Sequence, residues 1–195
     1  MSQVDLGKLL EESGAILKGH FVLTSGRHSD TYFEKFRVLE QPAVLSALCA
    51  DIAEQVDANE IDYVLGPTTG GIIIAFEIAR QMGKPALYVE VEDGVRTLRR
   101  GAFLPENARC LVVDDVLTTG RSIREVQGVV RSHGAHCVQV AVLIDRSERE
   151  PDFGCPLIRS YRVDATSYDP NDVPEWLAAV PARKPGTRQA SSTGA

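Results

Sequence analysis

Four short runs of this chain, residues 61–65, 86–91, 110–113 and 137–144, are apolar at nearly every position. Helical stretches at 72–82 and 123–133 stand between the first and second runs and between the third and fourth. A strand with apolar side chains on both faces must be covered on both faces, and parallel strands joined by crossing helices provide that cover. A further helix begins at Pro42, a residue suited to the first helical position, with Leu45, Leu48, Ile52 and Val56 as its apolar stripe. The expected fold class is α/β, a mostly parallel sheet flanked by helices.

The connection between the second and third runs breaks the alternation. Asp93-Gly94 lies there between two strand-like segments, a strong two-residue hairpin signal, so the sheet should carry an arm with Arg96, Arg99 and Arg100 on its returning strand. Ahead of the core, Leu6, Leu9 and Leu10 have helical spacing within 4–12. Phe21 and Leu23 then alternate as in a strand, Ser25-Gly26 marks a turn, and 32–36 suits a second strand. Such a polar and aromatic strand–turn–strand unit is suited to covering a ligand. A strand at 157–163 and a short helix at 172–180, docking through Trp176, Leu177 and Val180, follow the core. Beyond Pro181 there is no apolar periodicity and disorder is expected. The organisation is one domain: a covering segment 1–40, a core 41–165, a C-terminal helix region 166–181 and a tail 182–195.

The net charge of -6 provides no field to draw nucleic acid, so an anionic ligand has to be held by a local site. Cys49, Cys110, Cys137 and Cys155 show neither zinc nor disulfide spacing and read as free thiols of a reducing compartment. His133 and His136, at a helix end, are not read as a metal pair. No apolar run approaches the roughly 20 residues that span a bilayer, and the N-terminal residues do not resemble a targeting peptide. The expectation is a cytoplasmic protein that binds neither nucleic acid nor membrane.

The most specific stretch is Cys110-Leu-Val-Val-Asp114-Asp115-Val-Leu-Thr118-Thr119-Gly120-Arg121-Ser122. An apolar strand runs into two acids, then a small hydroxyl-rich loop, then a helix. Ligands of open α/β sheets bind at the carboxyl ends of strands, and two carboxylates there can accept hydrogen bonds from the vicinal diol of a ribose. The loop offers backbone N–H groups and the hydroxyls of Thr118, Thr119 and Ser122 at a helix start, which suits a phosphate. Ser122 and Glu125 also match a capping box, a structural role for part of the loop. No Gly-Lys-Ser/Thr is present, which speaks against an ATP-binding kinase loop. A second small-residue turn, Gly66-Pro67-Thr68-Thr69-Gly70-Gly71, opens a helix after the strand 61–65 and suits the other end of one ligand.

The string 110–122 resembles the phosphoribosyl pyrophosphate motif of the type I phosphoribosyltransferases. That resemblance implies that Asp114 and Asp115 hold the ribose and Thr118, Thr119, Gly120, Arg121 and Ser122 the 5-phosphate. It also makes Thr68, Thr69, Gly70 and Gly71 the pyrophosphate loop. The segment Phe21-x-Leu23-x-Ser25-Gly26-x-x-Ser29-x-x-Tyr32-Phe33 resembles the hood of orotate phosphoribosyltransferases, and Asp145-Arg146-Ser147-Glu148 resembles the element whose arginine pairs with the orotate carboxylate. Ser25, Gly26, Tyr32, Phe33 and Arg146 are thereby implied to hold the base. A guanidinium matches a carboxylate bidentately, although an ion pair of Arg146 with Asp145 or Glu148 is the structural alternative.

The sequence departs from the commoner members of that family at Thr24, where they have a lysine, at Asp30, where they have proline, and at Glu90-Val91, where they have Arg-Lys. The arm around Asp93-Gly94 replaces their long catalytic loop. The nearest relatives implied are a short-armed bacterial subgroup, in which Arg99 and Arg100 would supply positive charge to the pyrophosphate; a solvated strand face is the alternative. The resemblance implies Mg2+ bound through the substrate, 5-phosphoribosyl 1-pyrophosphate and orotate as substrates, and a homodimer. Transfer to a purine or another pyrimidine, or a sensor that binds the sugar phosphate without turnover, are the rival readings.

Overall fold

The computed structural model describes residues 5–23, 25–163 and 166–185. After α1 (Leu6–Glu12), the antiparallel pair β1 (Ile16–Val22) and β2 (His28–Phe33) forms a small sheet, followed by α2 (Lys35–Leu39) and α3 (Pro42–Gln55). The core continues through a 3-10 turn at Ala58–Glu60, β3 (Tyr63–Pro67), α4 (Gly70–Met82), β4 (Ala86–Glu92) and β5 (Val95–Thr97). It is completed by β6 (Arg109–Leu117), α5 (Arg121–Ser132), β7 (His136–Asp145) and β8 (Leu157–Arg162). Then come β9 (Ser167–Tyr168), α6 (Glu175–Ala178) and β10 (Ala182–Arg183).

The main sheet has the order β5-β4-β3-β6-β7-β8, all parallel except the β4–β5 arm. Its middle strands bury alternate residues in two different cores. Leu111 and Val113 of β6, with Ala141 and Leu143 of β7, pack with Leu45, Leu48, Ile52, Ile74 and Ile78 of α3 and α4. Cys110, Val112, Val140 and Val142 pack with Ile123, Val126 and Val130 of α5. This is the two-sided burial that apolar parallel strands require. Among the described residues, no helix is long and apolar enough to cross a membrane.

Several boundaries differ from expectation. The second strand of the covering unit stops at Phe33, because Glu34 caps a new helix by accepting the Phe36 N–H at 3.3 Å. Residues 35 and 36 are therefore helical. Ser122 is not a helix cap. The chain enters α5 through Gly120 in the left-handed region (φ 72), so Ser122 already lies inside the helix. Glu125 does not reach back either; it accepts from Arg96 Nε and Arg121 Nε, each at 2.8 Å.

Arg99 and Arg100 lie beyond β5 rather than on it. The C-terminal helix is only Glu175–Ala178, with Leu177 buried and Trp176 largely exposed. Ala182–Arg183, in the stretch expected to be disordered, pair with His20 and Phe21 of β1. Two-residue strands carry no periodicity of their own and arise because an existing edge offers partners. Residues 186–195, the remainder of that tail, lie outside the described residues, as does Thr24.

Candidate active site

β6 lies between β3 and β7 and carries Asp114 and Asp115 in its last turn of pairing, not past its end. Adjacent residues of a strand point to opposite faces, and the two acids have different surroundings. Asp114 is buried, and its Oδ1 accepts the Asp115 N–H at 2.9 Å. Burial, reinforced by the charge of Asp115, pushes the Asp114 carboxyl up to about 7, against the opposing pull of that N–H, Lys35 and Arg96. Asp115 accepts the Val116 N–H on Oδ1 at 2.7 Å and the Lys35 ammonium on Oδ2 at 2.9 Å.

The two small-residue loops open helices beside this pair. The Thr68–Thr69 peptide is cis, Thr68 N–H donates to Val89 O at 3.0 Å, and α4 starts at Gly70 with no side-chain cap. A Cβ on Gly70 would lie 2.3 Å from Asp115 Oδ2, so the pyrophosphate-type loop packs directly on the second acid. The other loop enters α5 through left-handed Gly120, again with no side-chain cap. A Cβ there would meet the Phe153 ring at 2.7 Å, and Arg124 donates to Thr119 O at 2.8 Å while lying over the same ring. Thr118, Thr119, Gly120, Arg121 and Ser122 thus form a turn whose helix-start N–H groups are left without side-chain partners, the arrangement an anion completes.

Arg146 leaves the end of β7, its N–H bound to Leu117 O of β6 at 2.9 Å. Its Nε is enclosed and has no acceptor among the described residues. Burial lowers its basicity, opposed by the nearby phenol of Tyr32. The ion pairs that could have explained it structurally are absent here. Asp145 accepts Ser147 N–H and Oγ–H at 2.8 and 2.6 Å and meets Arg159 and Arg162 at 3.4 Å. Glu148 is held by Arg27 at 4.0 Å and by the Ser167 hydroxyl at 3.0 Å.

On the covering sheet Tyr32 packs against Phe21, with ring centroids 5.6 Å apart, and its pKa is raised by burial and by Glu34, with Arg146 and Lys35 opposing. The charge of Arg146 thus acts on Tyr32. Phe33 lies in the core, away from the Tyr32 ring. One residue along the strand it faces the other way, is 5% exposed and joins the main core. Ser25 and Gly26 form an exposed turn closed by the Gly26 N–H to Leu23 O at 2.9 Å.

Arg99 and Arg100 sit on the arm and pair with β4 acids: Arg99 with Glu90 at 3.5 Å and Glu92 at 3.1 Å, Arg100 with Glu90 at 3.1 Å. Glu90 follows Val89, the partner of Thr68, so both guanidinium groups belong to the strand next to the pyrophosphate-type loop. Two residues had no motif to mark them. Lys35 was assigned to a strand, and Arg96 acts across the fold on Asp114 and Glu125.

The phosphoribosyl transferase domain family matches residues 37–155, which include both loops, the acid pair and Arg146. Most of the covering segment precedes that match and is included in longer similarities. An orotate phosphoribosyltransferase of Pelotomaculum thermopropionicum is 41% identical over 189 residues, covering 97% of this chain and 100% of that protein. The chain belongs to the orotate phosphoribosyltransferase family. The Thermotoga maritima member is 38% identical over 181 residues, 93% of this chain and 97% of its own length.

Among solved structures, the orotate phosphoribosyltransferase of Aeropyrum pernix superposes with a TM-score of 0.69 at 33% identity, covering 81% of this chain and 93% of that one. The adenine phosphoribosyltransferase of Trypanosoma brucei has a TM-score of 0.60 at 18% identity, covering 83% of this chain and 81% of that one, a likeness of fold alone.

Proposed function

We propose that this chain transfers the phosphoribosyl group of 5-phosphoribosyl 1-pyrophosphate to N1 of orotate, giving orotidine 5'-monophosphate and pyrophosphate. The observation that carries the assignment of the base is the enclosed, acceptor-free Nε of Arg146 beside Tyr32, in a chain whose core ends in the ribose-type acid pair. A buried donor without a partner costs stability until an acceptor arrives, and the carboxylate of orotate matches a guanidinium fork.

In the reaction the bond from the sugar C1 to the pyrophosphate oxygen breaks, the bond from orotate N1 to C1 forms, and the proton carried by N1 passes to water or to the departing pyrophosphate. Positive charge grows on the sugar while pyrophosphate departs, so the protein's work is positioning and charge stabilisation. Asp114 and Asp115 accept the ribose hydroxyls. The turn 118–122 receives the 5-phosphate on backbone N–H groups. Thr68, Thr69, Gly70 and Gly71 receive the pyrophosphate, with Arg99 and Arg100 released from Glu90 to meet it. Tyr32 covers the ring that Arg146 orients.

Asp115 is engaged by Lys35 and the Val116 N–H, so a Mg2+ would come with the substrate, beside the acid pair. That ion would neutralise the leaving group. The protein would act in the cytoplasm as a homodimer.

The test is pyrophosphate release with Mg2+, the sugar pyrophosphate and, in turn, orotate, uracil, adenine, hypoxanthine and xanthine. Release with orotate alone is expected; release with a different base overturns the base assignment. Arg146→Ala should raise the orotate KM at least tenfold, as loss of a charge-assisted pair does. Arg146→Lys should not restore it, because an ammonium lacks the planar fork.

A further inference from the structure

Lys35 is the first residue of α2 and is joined to the ribose-type acid pair from a different part of the chain, 80 positions away. Its ammonium lies 2.9 Å from Asp115 Oδ2, and the Asp115 side chain is only 12% exposed. The same oxygen is pressed against Gly70, the first residue of the pyrophosphate-type helix, and the other oxygen is occupied by the Val116 N–H. Phe33, Val38, Leu39, Leu143 and Ile144 line a narrow apolar crevice with Lys35 and Asp115, so one side of the ion pair is shielded from water. Asp115 is thereby fixed by three segments at once: its own strand, the start of α4, and α2.

The charge balance gives this contact a purpose. Two adjacent carboxylates must receive a substrate that is itself strongly anionic. Lys35 from α2 and Arg96 from the arm act on Asp114, and among the described residues Lys35 is the cation bonded to Asp115. Its ammonium also acts on Tyr32, the proposed cover of the base. The position belongs to neither family motif quoted for this chain.

We propose that Lys35 is a positioning residue for the sugar-phosphate substrate, acting through Asp115 by holding its carboxylate in place between β6 and the start of α4. The inference rests on the reading of the site as that of a phosphoribosyltransferase. Lys35 need not touch substrate, and its removal should register in sugar-pyrophosphate binding before it registers in the base.

The experiment is a double-variant cycle on Lys35 and Asp115, with steady-state kinetics for both substrates and a melting curve for each protein. Wild-type turnover with orotate is the control for the functional reading itself; if the wild type is inactive, that reading fails and the cycle is not its cause. With the wild type active, Lys35→Met should raise the KM for the sugar pyrophosphate about tenfold, the scale of one charge-assisted hydrogen bond. The orotate KM should stay within about twofold, and Lys35→Arg should recover most of the loss, since it keeps the charge and a donor.

In the Asp115→Asn background, Lys35→Met should add little, because residues acting as a unit are not additive. Full additivity of the two substitutions would show that Lys35 acts on substrate directly and overturn the proposal. An unchanged KM in Lys35→Met would overturn it too. If Lys35→Met melts far below the wild type, Lys35→Gln, which is one atom shorter but keeps a donor and has no charge, takes its place in the same cycle with the same two deciding outcomes.

Discussion

Asp114 combines its proposed place against the ribose with a cost to the fold. The residue is 8% exposed and its carboxyl is pushed up to about 7 by burial and by Asp115, against an ordinary value near 4. Between about pH 4 and 7 the native protein holds a proton that the unfolded chain has lost. The stability tied to that proton is complete below about pH 4 and is lost as pH rises through about 7. Asp114→Asn removes the penalty of a buried charge, so without substrate its melting temperature should exceed that of the wild type at pH 8, and the gap should shrink by pH 5. Calorimetry across that range checks the sign; an equal gap at both pH values would remove the linkage. Activity runs the other way. The ribose hydroxyls need an ionised acceptor, so wild-type kcat/KM for the sugar pyrophosphate should climb as pH rises through about 7. The asparagine variant should lose activity by about an order of magnitude or more.

At the scale of elements, the site is where the turn that opens α4 presses on the end of β6. A Cβ on Gly70 would come within 2.3 Å of Asp115 Oδ2, an oxygen already committed to Lys35. Gly70→Ala should therefore displace Asp115 and raise the KM for the sugar pyrophosphate about as much as losing Asp115's own contact. Gly128→Ala, inside α5 with open space around it, should instead stabilise the protein by about 0.5–1 kcal/mol and leave kinetics unchanged. Paired melting curves and kinetics separate the two. What the sequence disclosed follows the same division. The apolar strands, the crossing helices and the 110–122 turn were legible because each is written in consecutive residues. The ion pair of Lys35 with Asp115 was not, because its partners are distant in sequence and the helix that carries Lys35 is five residues long. The supposed cap at Ser122 failed for a related reason: the spacing was right, but left-handed Gly120 had already started the helix. The resemblance of 21–33 implies that Tyr32 and Phe33 both face the base, and strand alternation turns Phe33 toward the core.

For the whole molecule, the question is what covers the apolar side chains that folding leaves outside. Phe36 of α2 is 61% exposed, and Ile73 and Phe76 of α4 are 43% and 63% exposed. Ile73 and Phe76 are three residues apart, on one face of a helix whose first residue belongs to the pyrophosphate-type loop. A second copy is the partner that the proposed homodimer supplies, because a two-fold pairing buries the same patch on both chains. Such an interface needs roughly 800 Å² per partner, more than these three side chains provide, so neighbouring surface has to join them. Sedimentation equilibrium at micromolar concentration should give a dimer for the wild type and a monomer for the double variant Ile73→Glu with Phe76→Glu, since a charge buried without a partner is strongly unfavourable. The monomer should keep its fold by circular dichroism. It should lose affinity for the sugar pyrophosphate more than for orotate, because α4 holds one loop of the former and none of the proposed contacts of the latter. A wild type that sediments as a monomer would remove the homodimer. A double variant that remains a dimer would place the interface on another face, and the start of α4 would then have no stake in assembly.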